Sequence, residues 1–289
     1  MKPVRDLSLG VAQILCARLF RIKCPRIVLA CMPKSASTFL ATCVASLPGM
    51  RAGAISYSAG HREQVIDLSR LSTRALRGFV AQQHLRYSEY TGKILDEFRI
   101  TPVVLVRNLF DAVASLRDHV RKESPEMPMM QIVGDPRRMS DDELELAIAD
   151  LAMPWYFNFY IGWLERHDAL WVHFDEVRTS PNLVLNRIVE RAKIKATPDD
   201  VEAAVQRGLQ AKPRFNRGVP GRGTKISARA RERIFALAAH YPSIDFSPIG
   251  LPPPRSPEAL RPQLARVQPE PRWAHHEDER LRLRAGRKG

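Results

Sequence analysis

The run Arg26-Ile27-Val28-Leu29-Ala30-Cys31-Met32-Pro33-Lys34-Ser35-Ala36-Ser37-Thr38-Phe39 decides the fold. Its first six residues are an unbroken apolar stretch after Arg26, the pattern of a strand buried on both faces, and therefore of a parallel sheet. A short turn rich in small polar residues follows at Met32–Ser37. Thr38–Leu47 then reads as a helix, stopped by Pro48-Gly49. Strand, small-residue turn and helix N-terminus together form an anion cradle, because the first backbone N–H groups of a helix have no partner within it and its dipole is positive there. Lys34 adds a cation, and Ser35, Ser37 and Thr38 add hydroxyls. The Gly-x-x-x-x-Gly-Lys-Ser/Thr frame of a Walker loop is absent, and no acidic residue ends a strand to hold magnesium. Taken alone, the turn reads equally well as an ordinary strand-to-helix connection carrying a surface lysine.

Working outward, strands are predicted at Gly78–Gln83, Pro102–Val106 and Ala169–Phe174. Helices are predicted at Ser88–Phe98, Leu109–Val120, Asp141–His167, Pro181–Ala192, Asp199–Leu209 and Ala228–His240. The long one carries Pro154, which demands a kink or a division into two. Strands alternating with helices predict a three-layer α/β/α domain around a mostly parallel sheet of four or five strands. Residues 26–250 form that domain. Residues 1–25 contribute an N-terminal helix, amphipathic through Leu7, Val11, Ile14, Leu15 and Leu19, and residues 251–289 a Pro- and Arg-rich tail whose composition predicts disorder. Glu123–Arg138, rich in Pro, Met and Gly, reads as a loop or lid.

The 289 residues carry 45 Lys and Arg against 31 Asp and Glu, a formal charge of +14. Such an excess suits nucleic acid, a membrane surface or a polyanionic substrate, and composition does not separate them. The apolar run at Leu7–Ile22 is broken by Gln13, Arg18 and Arg21 and is too short to span a bilayer. The four cysteines, Cys16, Cys24, Cys31 and Cys43, match no zinc spacing and read as buried, reduced thiols.

A second motif gives the cradle its meaning. Val103–Val106 is followed by Arg107-Asn108, a helix start containing Asp111, and Ser115 eight residues after the arginine. An arginine at the carboxyl end of a parallel strand enters the crevice where open α/β sheets bind ligands, and its planar fork suits a phosphate. Ser115 lies two turns further along the same helix.

With these residues in hand, the chain resembles the PAPS-dependent sulfotransferases (PAPS is 3′-phosphoadenosine 5′-phosphosulfate), as a bacterial-type member with a P-loop nucleotide-binding-like fold. Pro33–Phe39 resembles that family's 5′-phosphosulfate loop, with Ala36 where glycine is usual and Phe39 where tryptophan is usual. Arg107-Asn108 through Ser115 is similar to its 3′-phosphate motif. Phe215-Asn216-Arg217-Gly218 looks like its late Arg-x-Gly loop, and Gln82-Gln83-His84-Leu85 stands where the family carries its catalytic histidine, here without the neighbouring lysine.

The resemblance implies that Lys34 meets the sulfuryl and bridging oxygens, while Ser35, Ala36, Ser37 and Thr38 cradle the 5′-phosphate and Phe39 stacks on adenine. Arg107, Ser115, Arg217 and Gly218 would hold the 3′-phosphate, and His84 would act as base, with Lys34 and Ser115 assisting. His61 and His119 are further histidines in reach of the same part of the sequence. No metal is implied. The acceptor would be a hydroxyl on a carbohydrate, a lipid-linked sugar or, next, a small alcohol or phenol; no nucleic acid is expected. Ala36 must either keep φ negative or accept strain.

The aromatic run Trp155, Tyr156, Phe157, Phe159, Tyr160 and Trp163 reads as packing against the sheet rather than as an acceptor wall, and Phe174-Asp175-Glu176 stands where the family places residues near adenine. A cytosolic nucleotide as donor argues for a cytoplasmic chain and against a signal peptide at Lys2–Ile22, leaving residues 7–23 as a surface that could lie against a membrane. The rival readings are a nucleotide kinase and a basic binder of nucleic acid or membrane.

Overall fold

The computed structural model describes residues 24–56, 64–125, 129–211 and 221–253. The N-terminal helix, His61, the Arg217-Gly218 pair and nearly all of the tail lie outside them.

Among the described residues, four parallel strands form the central sheet. The strands are β1 (Arg26–Cys31), β2 (Phe79–Gln83), β3 (Thr101–Val106) and β4 (Leu170–His173), in the order β2-β1-β3-β4. Every pairing is parallel, with Ala30 opposite Gln83 and Cys31 opposite Leu105. Chain order and spatial order part company at β1, where neighbours lie on either side, so the crevice opens beyond its carboxyl end. The outer edge of β2 is covered by a short extended segment, with Val80 N donating to Arg51 O and Gly53 N to Val80 O, both at 2.9 Å. On the opposite edge Arg187 donates to the carbonyl of Trp171 at 2.7 Å.

Alternation along the strands divides the core in two. Val28, Ala30, Ala81, Val104 and Val106 face one layer, and Ile27, Leu29, Cys31, Val80, Val103 and Leu105 the other. The second layer is built by α1 (Ser37–Ala45) with helices that appear later in the chain. The first layer contains α2 (Leu68–Arg74), α3 (Glu89–Glu97) and α4 (Leu109–Lys122). It continues with α5 (Asp141–Leu151) and α6 (Met153–Leu164), the two halves of the predicted long helix, which parts at Ala152 just ahead of Pro154. After β4 come α7 (Phe174–Thr179), α8 (Pro181–Ala192) and α9 (Pro198–Gln210). Here α8 and α9 belong to the second layer, and α10 (Ala228–Ala239) returns to the first.

Two helices, α2 and α7, differ from the sequence expectation. Both are short, at seven and six residues, and are held by caps that a periodicity argument does not weigh. Thus Asp67 accepts from Arg70 N, and Glu176 reaches back to the N–H of His173 at 2.8 Å. Phe174 therefore opens a helix rather than ending a strand. Where α9 crosses α1 the backbone of Gly208 lies against side chains of α1, since a Cβ there would lie 2.4 Å from Cys43 Sγ. The aromatic run on α6 is buried throughout, as packing predicts. Cys24, Cys31 and Cys43 are free thiols, and burial pushes Cys31 and Cys43 up to about 12. Among the described residues no helix is long and apolar enough to cross a membrane.

Candidate anion and proton-transfer site

The loop between β1 and α1 is built from strained residues held from below. Lys34 and Ala36 both have left-handed backbone, at φ 63° and 65°, so of the two options left for Ala36 the chain takes strain. A left-handed non-glycine residue costs about 1–2 kcal/mol, and such strain persists where surrounding contacts over-determine it. Those contacts are present. Met32 N donates to Leu105 O at 3.0 Å, Ser35 Oγ to Met32 O at 2.6 Å, Tyr156 OH to Pro33 O at 3.0 Å, and Arg107 NH1 to Lys34 O at 2.6 Å. The Ser35 hydroxyl is thus committed inside the loop, leaving its backbone as the donor for a ligand. Ser37 is buried and accepts from Gln82 Nε2 at 2.9 Å, while Thr38 stands exposed at the first turn of α1. Phe39 is 2% exposed, among core side chains of the second layer, so it packs in the core and offers no open face for the adenine stacking expected of it.

Arg107 leaves the end of β3 and is 5% exposed. Its guanidinium lies 4.1 Å above the centre of the Phe174 ring, so the phenylalanine gives a face to a cation. Burial pulls the Arg107 pKa down, Asp111 pulls it back up, and the charge of Arg222 opposes it. Its Nε is enclosed with no hydrogen-bond partner. A buried cation with an unsatisfied donor and a second cation acting on it is costly unless an anion is supplied. That is the fit expected of a phosphate site. Ser115, on α4, is 2% exposed.

The sequence did not disclose what Asp111 does. Beyond sitting in the first turn of α4, its carboxylate accepts from Gly221 N at 3.0 Å and Gly223 N at 2.6 Å. This ties the backbone of Gly221 and Gly223 to the head of α4. Gly223 is obligatory there, because a Cβ would lie 2.4 Å from Phe110 Cβ. Asn108 caps the helix through Phe110 N and Asp111 N, and Arg222 pairs with Asp118 at 2.5 Å. A spacing of four residues joins Asp111, Ser115, His119 and Glu123 on one face of α4, a regularity available in the sequence once a helix is granted.

His84 follows β2 and is half-buried. Its N–H donates to nothing in the sheet; it meets Gln64 Oε1 at 2.6 Å, and Leu85 O next to it accepts from Trp163 Nε1 at 2.8 Å. The ring Nδ1 lies 2.9 Å from Cys31 O. A carbonyl only accepts, so Nδ1 carries the proton and Nε2 the lone pair. Burial lowers the His84 pKa, with the Cys31 carbonyl opposing, so the imidazole is neutral at pH 7. Lys34 Nζ extends the other way, 3.7 Å from Glu123 Oε1 and 3.4 Å from His119 Nδ1. The structure therefore gathers Lys34, Ser35, Ala36, Ser37 and Thr38 with Arg107 and His84 around the strand ends, while Ser115 is buried on α4. Among the described residues no three His, Cys, Asp or Glu side chains gather as a metal-binding group.

No protein-family model matches the chain, and no curated protein matches it in sequence. Among solved structures, it is similar to the mouse sulfotransferase SULT7A1 complexed with PAP, with a TM-score of 0.57 at 15% identity, covering 75% of this chain and 84% of that one. The parallel sheet, its two helical layers and this likeness give the chain the P-loop-like α/β/α fold of the sulfotransferases.

Proposed function

We propose that the chain transfers a sulfuryl group from PAPS to an acceptor hydroxyl. The observation that carries the reading is the meeting of two features at the carboxyl end of the sheet. One is an anion cradle backed by a buried arginine with an unsatisfied donor; the other is a neutral histidine whose tautomer is fixed by a backbone carbonyl. When bound, PAPS supplies an activated sulfuryl group on a phosphate leaving group.

The chain's own residues would divide the remaining work. Backbone N–H groups of Ser35 to Thr38, at the positive end of α1, hold the 5′-phosphate, and Phe39 supports the loop from the core. Lys34 offsets charge developing on the leaving oxygen. Arg107 and Ser115 hold the second phosphate, joined by Arg217 and Gly218 from the segment that Asp111 ties down at Gly221 and Gly223. His84 accepts the acceptor's proton at Nε2, while its Nδ1–H remains on Cys31 O. The protein's task is positioning and charge stabilisation, as in phosphoryl transfer.

We favour a carbohydrate or lipid-linked sugar as acceptor, then a small alcohol or phenol, and a cytoplasmic chain drawing on cytosolic donor. The test is incubation with sulfur-labelled PAPS and a panel of sugars, alcohols and phenols. Label is expected in at least one acceptor. Binding of PAP with no transfer to any hydroxyl in the panel would reduce the chain to a nucleotide binder and sink the proposal.

A further inference from the structure

The stripe on α4 ends in a group that the transfer reaction does not call for. Glu123 terminates the helix, its N–H donating to His119 O at 2.8 Å, and its carboxylate meets both His119 and Lys34. Oε2 meets His119 Nδ1 at 2.9 Å, and Oε1 lies 3.7 Å from Lys34 Nζ. The side chains of Lys34 and Glu123 are 16% and 27% exposed, so solvent screens the pair in part. The helix that carries the carboxylate is itself held at its head, by Asn108 and by the Asp111 contacts. A negative charge is thereby fixed beside the one lysine of the anion cradle.

Given the sulfotransfer reading, on which this inference rests, we infer that Glu123 is a positioning residue that restrains Lys34 and weakens the hold of the loop on nucleotide anions. The physical reason is competition. An anion seated on the loop must share the Lys34 ammonium with the carboxylate, and it sits near a like charge. His119 keeps the carboxylate turned toward the lysine by occupying its other oxygen. Product carrying two phosphates leaves more readily from a site so balanced than from one in which Lys34 answers only to the ligand.

The experiment is calorimetric titration of PAP into the full chain and three variants: Glu123→Gln, Lys34→Met, and the two combined, with Glu123→Asp as the conservative control. Glu123→Gln is isosteric and lies at a helix end, so it should fold. It is expected to bind PAP about two- to fivefold more tightly, the range of a partly screened ion pair. Glu123→Asp should return toward wild type, and the gain should vanish in the Lys34→Met background, which a merely structural effect of Glu123 would not do. Unchanged or weaker binding by Glu123→Gln, or an equal gain without the lysine, overturns the inference while leaving the proposed function standing. Wild type that fails to bind PAP overturns the proposed function and this inference with it.

Discussion

Two histidines stand on opposite flanks of the same loop, and their surroundings separate their roles. His84, at the end of β2, is oriented by a neutral carbonyl, tied on either side by Gln64 and Trp163, and kept uncharged by burial. His119, in the last turn of α4, is oriented by a carboxylate and lies beside an ammonium. The first environment leaves a neutral ring with its lone pair at Nε2. The second makes a link in a charge network, in which the imidazole stands between an acid and a lysine. The difference lies in what Nδ1 meets: a single backbone carbonyl in His84, and both a carboxylate and an ammonium in His119.

The sharpest way to break this comparison is to remove each ring in turn. His84→Ala should lower kcat by about 10²–10⁴-fold, the usual contribution of a general base, with PAP affinity little changed. His119→Ala should cost less than about tenfold. A larger loss from His119 would reverse the assignment.

The pH profile refines the same point. Because burial lowers the His84 pKa, the unprotonated base persists on acidification. The acid limb of kcat/KM should therefore fall below the usual histidine value of 6.5, with a plateau above it. His119→Ala should leave that limb in place. A limb at or above 6.5, or one that moves with His119, would contradict it.

Further down the scale lies the head of α4. Asp111→Ala strands two backbone N–H groups and should destabilise the fold by about 2–3 kcal/mol, read as a lower Tm together with weaker PAP binding. An unchanged Tm would show that the Gly221 and Gly223 contacts contribute little. The smallest effect expected is from Ala36→Gly. Relief of left-handed strain, less the added freedom of the unfolded chain, should raise stability by about 0.5–1 kcal/mol. Destabilisation would mean that the loop uses the alanine methyl for packing.

The strands, the division of the long helix at Pro154 and the burial of the α6 aromatics were legible because each follows from periodicity or from proline chemistry. β1 runs over Arg26–Cys31 as read, β2 and β3 differ from the reading by one residue at the amino end, and β4 is one residue shorter at each end. The two short helices were not legible, since their stability comes from capping contacts that a sequence window does not weigh. At the site, Lys34, Arg107 and His84 stood out as reactive types at strand ends. The strain at Ala36 was anticipated as one of two outcomes, and the backbone contacts beneath the loop settled which. What Asp111 and Glu123 do was hidden, because it depends on which distant backbone or lysine the helix face meets. Their four-residue spacing was present in the sequence, but spacing reveals a shared face and not its partner.

The central claim is that the cradle and Arg107 hold two phosphates of one nucleotide. It is tested most directly by calorimetric titration of PAP into wild type and Arg107→Ala, with Arg107→Lys to retain charge without the planar fork. Wild type should bind, and Arg107→Ala should bind about 10- to 150-fold more weakly, the worth of a charge-assisted hydrogen bond at about 1.5–3 kcal/mol. Arg107→Lys should recover part of the loss. Equal affinity in wild type and Arg107→Ala, or no binding by wild type, would contradict the account.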